Sequence, residues 1–375
     1  MKLFKHIFVS GLFTLCTAIL CLALPAQATA PPLKIAFNNP GFQDKGFWKN
    51  VSDAMKAAAK KFNIELHIWY GDRDPQKMRE NAHQIYQSDI EFDYLILVNE
   101  HQQATGFLRN SERKKLKTFY LLNTIRTEQS QKIGHPGQVY KYWIGSLTPD
   151  NEKAGAEMAQ SLLDFAQTKN WDNPYRLLSI SGDNKTPASL YRNRGLDNVM
   201  VKSGMFNEQR RAHALWSEDN AKKITQQYLK DFPAPPQLVW AANDNIARGA
   251  IEALEAGDQI AGQNFAVAGL NWSNWGLKAV RDGKMTMTHG GHFLGGAWTM
   301  VILYDHSQGH TIKAPNAHIR FPMSAITKSN VDAYLQHFEN QNWSEIDFKR
   351  FSKSFNPQIK AYDFSLPRLF EAHQK

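Results

Sequence analysis

Aromatic and amide side chains recur where the apolar, strand-like runs of this sequence end. Phe47 and Trp48 follow Lys34–Asn38, Asn99 and Glu100 follow Tyr94–Val98, and Asn123 follows Thr118–Leu122. Trp216, the pair Asn243 and Asp244, and the pair Asn271 and Trp272 stand after later runs, and Arg194 lies on the helix that follows Asp183–Pro187. Flat rings cover C–H faces, while amides, carboxylates and guanidinium groups hydrogen-bond hydroxyls in pairs. The set therefore suits a small polar ligand rich in hydroxyls. Any one Trp alone is as well explained by core packing, and any one Asn by a helix cap. Their recurrence at one end of several strands argues for a site.

Motifs for bond-breaking chemistry are absent: there is no GxSxG, no GxxxxGKS/T and no HExxH. His289 and His292 flank Gly290-Gly291, but two imidazoles fall short of the three or four protein ligands that zinc takes. We expect no metal, no cofactor and no catalysis, with His292 lining a polar cleft.

The elements that must position these residues alternate. Lys34–Asn38 is an apolar strand, and Phe47, Val51, Met55, Ala58 and Phe62 repeat at helical spacing after it. Ile64–Tyr70, Tyr94–Val98 and Thr118–Leu122 continue the strands, with helices between. The pattern restarts at Tyr142, with strands expected at Arg176–Ser181, near Ala212–Trp216, at Leu238–Ala242 and at Phe265–Leu270. Such alternation marks an α/β protein with doubly wound parallel sheets, where ligands sit beyond the carboxyl ends of the strands. Two successive units of similar size predict two similar lobes. Beyond Pro315 only a helix near Val331–Phe338 is legible.

The chain has 375 residues, 42% hydrophobic and 21% charged, as expected of a two-domain globular protein. A net charge of +9 is scattered, and its densest run is only Arg113, Lys114, Lys115 and Lys117, which disfavours nucleic acid as partner. Lys2 and Lys5, the apolar run Ile7–Leu24 and the small residues Ala26-Gln27-Ala28 have the three parts of a secretory signal peptide, residues 1–28. Ser10, Thr14, Thr17 and Pro25 weaken the rival reading as a membrane anchor. Cys16 and Cys21 both fall in that leader, so the exported chain carries no disulfide and no thiol. The expected compartment is the periplasm.

Leu238–Gly257, LVWAANDNIARGAIEALEAG, resembles the hallmark segment of type I periplasmic binding proteins of the ribose- and galactose-binding kind. Asn39–Ala59, Ser189–Asp197 and Val267–Lys278 agree with it in order and spacing. The Gln43–Trp48 turn, the strand DYLILV and Leu121–Thr127 look most like the autoinducer-2 receptor. The resemblance implies a ligand site at Gln43, Phe47, Trp48, Asn123, Trp216, Asn243, Asp244, Asn271, Trp272 and His292. It also selects Arg194, not Arg192, on its distance to the following helix. Two lobes joined by a three-segment hinge are implied, 33–146 plus 291–314 and 147–290 plus 315–375, the latter including the tail. The implied role is capture of a sugar-like solute by a monomer that delivers it to an inner-membrane ABC permease. Presentation to a sensor kinase or cyclase is the alternative, and a periplasmic hydrolase or lyase a remote one.

Overall fold

The computed structural model describes residues 31–312 and 317–373; the expected leader lies outside the described residues. In chain order the first elements are β1 (Leu33–Asn39), α1 (Phe47–Lys61), β2 (Ile64–Tyr70), α2 (Pro75–Gln87), β3 (Tyr94–Leu97), α3 (Ala104–Lys114), β4 (Lys117–Leu121), α4 (Thr127–Ile133) and β5 (Trp143–Pro149). The second run is α5 (Asn151–Thr168), β6 (Tyr175–Ser181), α6 (Pro187–Ser203), β7 (Phe206–His213), α7 (Glu218–Asp231), β8 (Leu238–Ala241), α8 (Asp244–Glu255), β9 (Ala266–Leu270), α9 (Asn274–Arg281) and β10 (Met287–Gly290). Then come α10 (Gly295–Ser307), β11 (His318–Phe321), β12 (Ser324–Thr327), α11 (Val331–Phe338) and α12 (Leu366–Ala372).

These strands form two six-stranded sheets, ordered β11-β5-β4-β3-β1-β2 and β12-β10-β9-β8-β6-β7. Every pairing is parallel except β10 with β12. The central strands β3 and β8 are buried along their whole length, which is why their sequences read as unbroken apolar runs. Helix starts are set by local chemistry. Asp74 caps α2 by accepting from Gln76 N at 2.8 Å with Pro75 at the first turn, and Ser217 caps α7. Helix α10 is apolar all round and nearly all buried, packed on α1 in the core of the first lobe.

The chain passes between the lobes at Pro149–Asn151, Gly290–His292 and Phe321–Ser324. Two boundaries move from the sequence expectation. The first sheet keeps β5 to Pro149, and it also takes β11, which the sequence expectation places in the second lobe. The four residues HIRF of β11 carry no apolar run, because an edge strand buries little. The tail differs as well. Helix α11 docks on α9 and β12 of the second lobe, but the 3-10 turns Trp343–Glu345 and Phe348–Phe351 return to α1 and α10 of the first. There Trp298 stacks on Phe364 at 4.8 Å, and buried Asp305 accepts from Ser352 Oγ at 2.5 Å, Lys353 N at 2.8 Å and Tyr362 Oη at 3.0 Å. A fourth link thus joins the lobes.

Strand β7 ends at His213, earlier than expected, and Leu215 and Trp216 follow in the left-handed region at φ 52° and 63°. Its residues FNEQRRAH are those of an exposed sheet edge, so apolar patterning does not mark it.

Candidate ligand-binding site

A cleft of about 480 Å³ opens between the lobes at the carboxyl ends of both sheets. From the first lobe, the β1–α1 turn delivers two rings. Asn39 donates to Trp48 O at 3.2 Å and Ser52 Oγ at 2.8 Å and accepts from Gly41 N at 2.7 Å, which fixes the turn and aims Phe47 and Trp48 at the cleft. After β4, Asn123 donates to Glu100 Oε1 at 3.2 Å, and Glu100 also lies 3.5 Å from Arg73. Glu100 is 4% exposed, so this carboxylate is held by an amide and a guanidinium at the cleft wall.

From the second lobe comes Arg192, 2% exposed. It donates through Nε to Asn151 Oδ1 at 2.9 Å and through Nη1 to Ala242 O at 2.8 Å, and its plane lies over the Trp216 ring at 5.6 Å. Burial lowers its pKa to about 9, with Asp244 opposing, so it stays charged at neutral pH. Trp216 is held by its own donor, Nε1 to Asp183 Oδ2 at 2.6 Å. Burial raises the Asp183 carboxyl, but bonds from Thr186 N, Lys185 N and Trp216 outweigh it, and the net shift is downward. Gly182 is required beneath this ring: a Cβ there would lie 2.3 Å from it. The left-handed backbone of Leu215 and Trp216 is strain kept at the mouth of the cleft.

The hinge supplies His292. Its ring stacks on Phe47 at 4.4 Å and 22°, and its Nε2 faces Arg192 Nη2 at 3.4 Å. A guanidinium only donates, so Nε2 accepts and the proton sits on Nδ1. Burial, then the charges of Arg192 and His289, holds this imidazole well below its ordinary value, hence neutral. Its Nδ1 is buried without a partner, as is Asn123 Oδ1. Both residues line the cleft, and each carries an unpaired polar atom shielded from solvent. A buried polar group left unpaired costs about 1–3 kcal/mol. Among the described residues no cluster of three or more His, Cys, Asp or Glu could hold a metal, and no helix is long and apolar enough to cross a membrane.

Residues 35–311 match the family model described as a periplasmic binding protein domain. The chain belongs to the periplasmic binding protein family. Among solved structures it resembles a periplasmic sugar-binding protein from Pseudomonas fluorescens, 31% identical, covering 90% of this chain and 99% of that one with a TM-score of 0.80. A xylitol-binding protein of Mycolicibacterium smegmatis is 23% identical over 206 residues, 54% of this chain, and the match spans only 55% of that relative. A ribose import binding protein of Haemophilus influenzae is 24% identical over 247 residues, 65% of this chain and 75% of that protein. The fold is that of type I, two α/β lobes with parallel-dominated sheets.

In this periplasmic binding protein the expected site residues separate into two groups. Phe47, Trp48, Asn123, Trp216, Asn243, Asn271 and His292 line the cleft. Arg194, Gln43, Asp244 and Trp272 do not. Arg194 lies outside the cleft, half-exposed, bonded to Glu152 at 2.7 Å; Arg192 is the arginine that faces the ligand space. Gln43 is exposed on the turn and off the wall. Asp244 is buried behind the wall, where it accepts from Ser273 N and Oγ at 2.9 and 2.7 Å and from Thr288 Oγ1 at 2.8 Å, tying α8 to the start of α9 and to β10. Burial raises its carboxyl above the ordinary range, against those bonds. Trp272 fills the hinge instead: Nε1 donates to Ser324 O at 3.1 Å, its ring meets Tyr334 at 4.9 Å, and Gly291, at φ 89°, leaves it room. Asn243 both caps α8, accepting from Ile246 N at 2.9 Å, and faces the cleft. Arg192, Asn151 and Thr186 are lining residues that the sequence reading leaves out.

Proposed function

We propose that this protein is an exported receptor that captures a small sugar or polyol between its lobes and delivers it to an inner-membrane ABC permease. The observation that carries this is the cleft lining, in which the rings of Phe47, Trp48 and Trp216 stand among the amides Asn123, Asn243 and Asn271, the guanidinium of Arg192 and the imidazole of His292. Amides, one guanidinium and a neutral imidazole hydrogen-bond hydroxyls, and rings cover the C–H faces of a sugar. The relatives named for sugars and xylitol support that ligand class. Binding is the whole activity, and no bond is broken.

Each lobe holds part of the site, so a ligand completes its contacts only when they close, and it shifts the population toward the closed form in proportion to that difference. A permease can then tell loaded from empty protein. Cleavage after Ala28 and residence in the periplasm belong to the same reading. The test is a thermal-shift screen against ribose, arabinose, galactose, xylitol and myo-inositol. At least one should raise the melting temperature in a concentration-dependent way, since binding to the native state alone stabilises it. No rise with any member, at millimolar ligand, defeats the reading.

A further inference from the structure

A second cavity of about 250 Å³ adjoins the cleft, and Leu122, Pro149 and Asn151 belong to the walls of both. It too lies between the lobes, with Thr124 and His135 on one side and Tyr191 and Arg194 on the other. Thr124 Oγ1 is buried there with no hydrogen-bond partner, next in sequence to the unpaired Asn123 Oδ1 of the main cleft. Two consecutive residues in the walls of two joined chambers thus carry unpaired side-chain oxygens, both shielded from solvent.

The charges of the side chamber are already matched. Arg194 is held by Glu152 at 2.7 Å and lies over the Tyr191 ring at 4.6 Å, and Arg320 stands 4.0 Å from Asp150. A phosphate or carboxylate finds no free cation in such a lining, whereas a neutral hydroxylated ring finds donors, acceptors and an aromatic edge. We infer that the ligand is a two-unit molecule, a disaccharide or sugar glycoside, with one unit in the cleft and the second in the side chamber. This rests on the sugar-or-polyol reading and extends it to ligand size.

The experiment is calorimetry on the full exported chain, pairing single units with their glycosides: galactose with lactose and melibiose, myo-inositol with galactinol, and xylose with xylobiose. At least one glycoside should bind tenfold or more tightly than its parent unit. Thr124→Val and Tyr191→Ala should each cut that gain at least threefold while parent binding stays within twofold. Glycosides that all bind no better than their parents overturn the inference and leave the sugar reading standing, as does a gain that survives both substitutions. Absence of binding by every unit and every glycoside defeats the sugar reading and this inference with it.

Discussion

Arg192 is the residue whose replacement discriminates most sharply between arrangements of the site. Its guanidinium is spread over Asn151 Oδ1, Ala242 O and the His292 ring, with the Trp216 face alongside. Arg192→Met keeps much of the length but removes every donor. A charge-assisted hydrogen bond to the ligand is worth about 1.5–3 kcal/mol, which at 1.4 kcal/mol per decade weakens Kd by roughly 10- to 150-fold. Arg192→Lys keeps the charge and loses the fork, so it should fall between Met and wild type. The control is Arg194→Ala, which removes a half-exposed pair with Glu152 and a contact over the Tyr191 ring, both outside the main cleft. Such pairs contribute about 0–1 kcal/mol, so affinity for a single-unit sugar should change by less than about fivefold. The assay is calorimetric titration of the tightest single-unit ligand from the thermal screen. Unchanged Kd in Arg192→Met together with a large loss in Arg194→Ala would refute the assignment and return the role to Arg194.

Other expected outcomes concern support and pH. Asp244→Ala leaves Ser273 N and Thr288 Oγ1 without their acceptor and should lower unfolding free energy by about 2–4 kcal/mol, read as a lower urea midpoint; an unchanged midpoint contradicts its anchoring role. Trp272→Ala empties the hinge and should cost about 3–5 kcal/mol, while a loss below 1 kcal/mol in the same assay contradicts the packing described. His292 is lowered by burial and the neighbouring positive charge, and His289 mainly by burial, against the bond it donates to Glu157. A histidine lowered on folding binds fewer protons in the native state, so its contribution is complete above the unfolded value of about 6.5 and is lost as pH falls toward the folded value. The melting temperature should fall between about pH 7 and about pH 5, and fall less in His292→Gln; a flat profile in the wild type contradicts this.

Much of the architecture was written in the pattern of apolar runs, because strands covered on both faces, such as YLILV, cannot hide. The pairs of similar neighbours were harder. Asn243 and Asp244 stand side by side at a helix start, yet one faces the cleft and the other is turned into the protein. Arg192 and Arg194 are two residues apart on α6, about 200° around the helix, so they point to opposite sides. A signal for the right choice existed: Ser189, Arg192 and Leu196 recur at helical spacing and form the buried stripe of α6, on which Arg192 falls and Arg194 does not. Most of β7, all of β11 and the tail beyond α11 escaped because edges and aromatic straps bury side chains without a period.

The returning tail has a consequence for how the molecule is assembled. Trp298 and Asp305 of α10 are covered by residues 348–364, contributed from far along the chain. A polypeptide completed from its amino end can build the second lobe's sheet up to β10 early, while the first lobe waits for its final cover. Loss of residues beyond Phe338 would therefore bare an indole and a carboxylate in the older half of the molecule, not in the half where α11 docks.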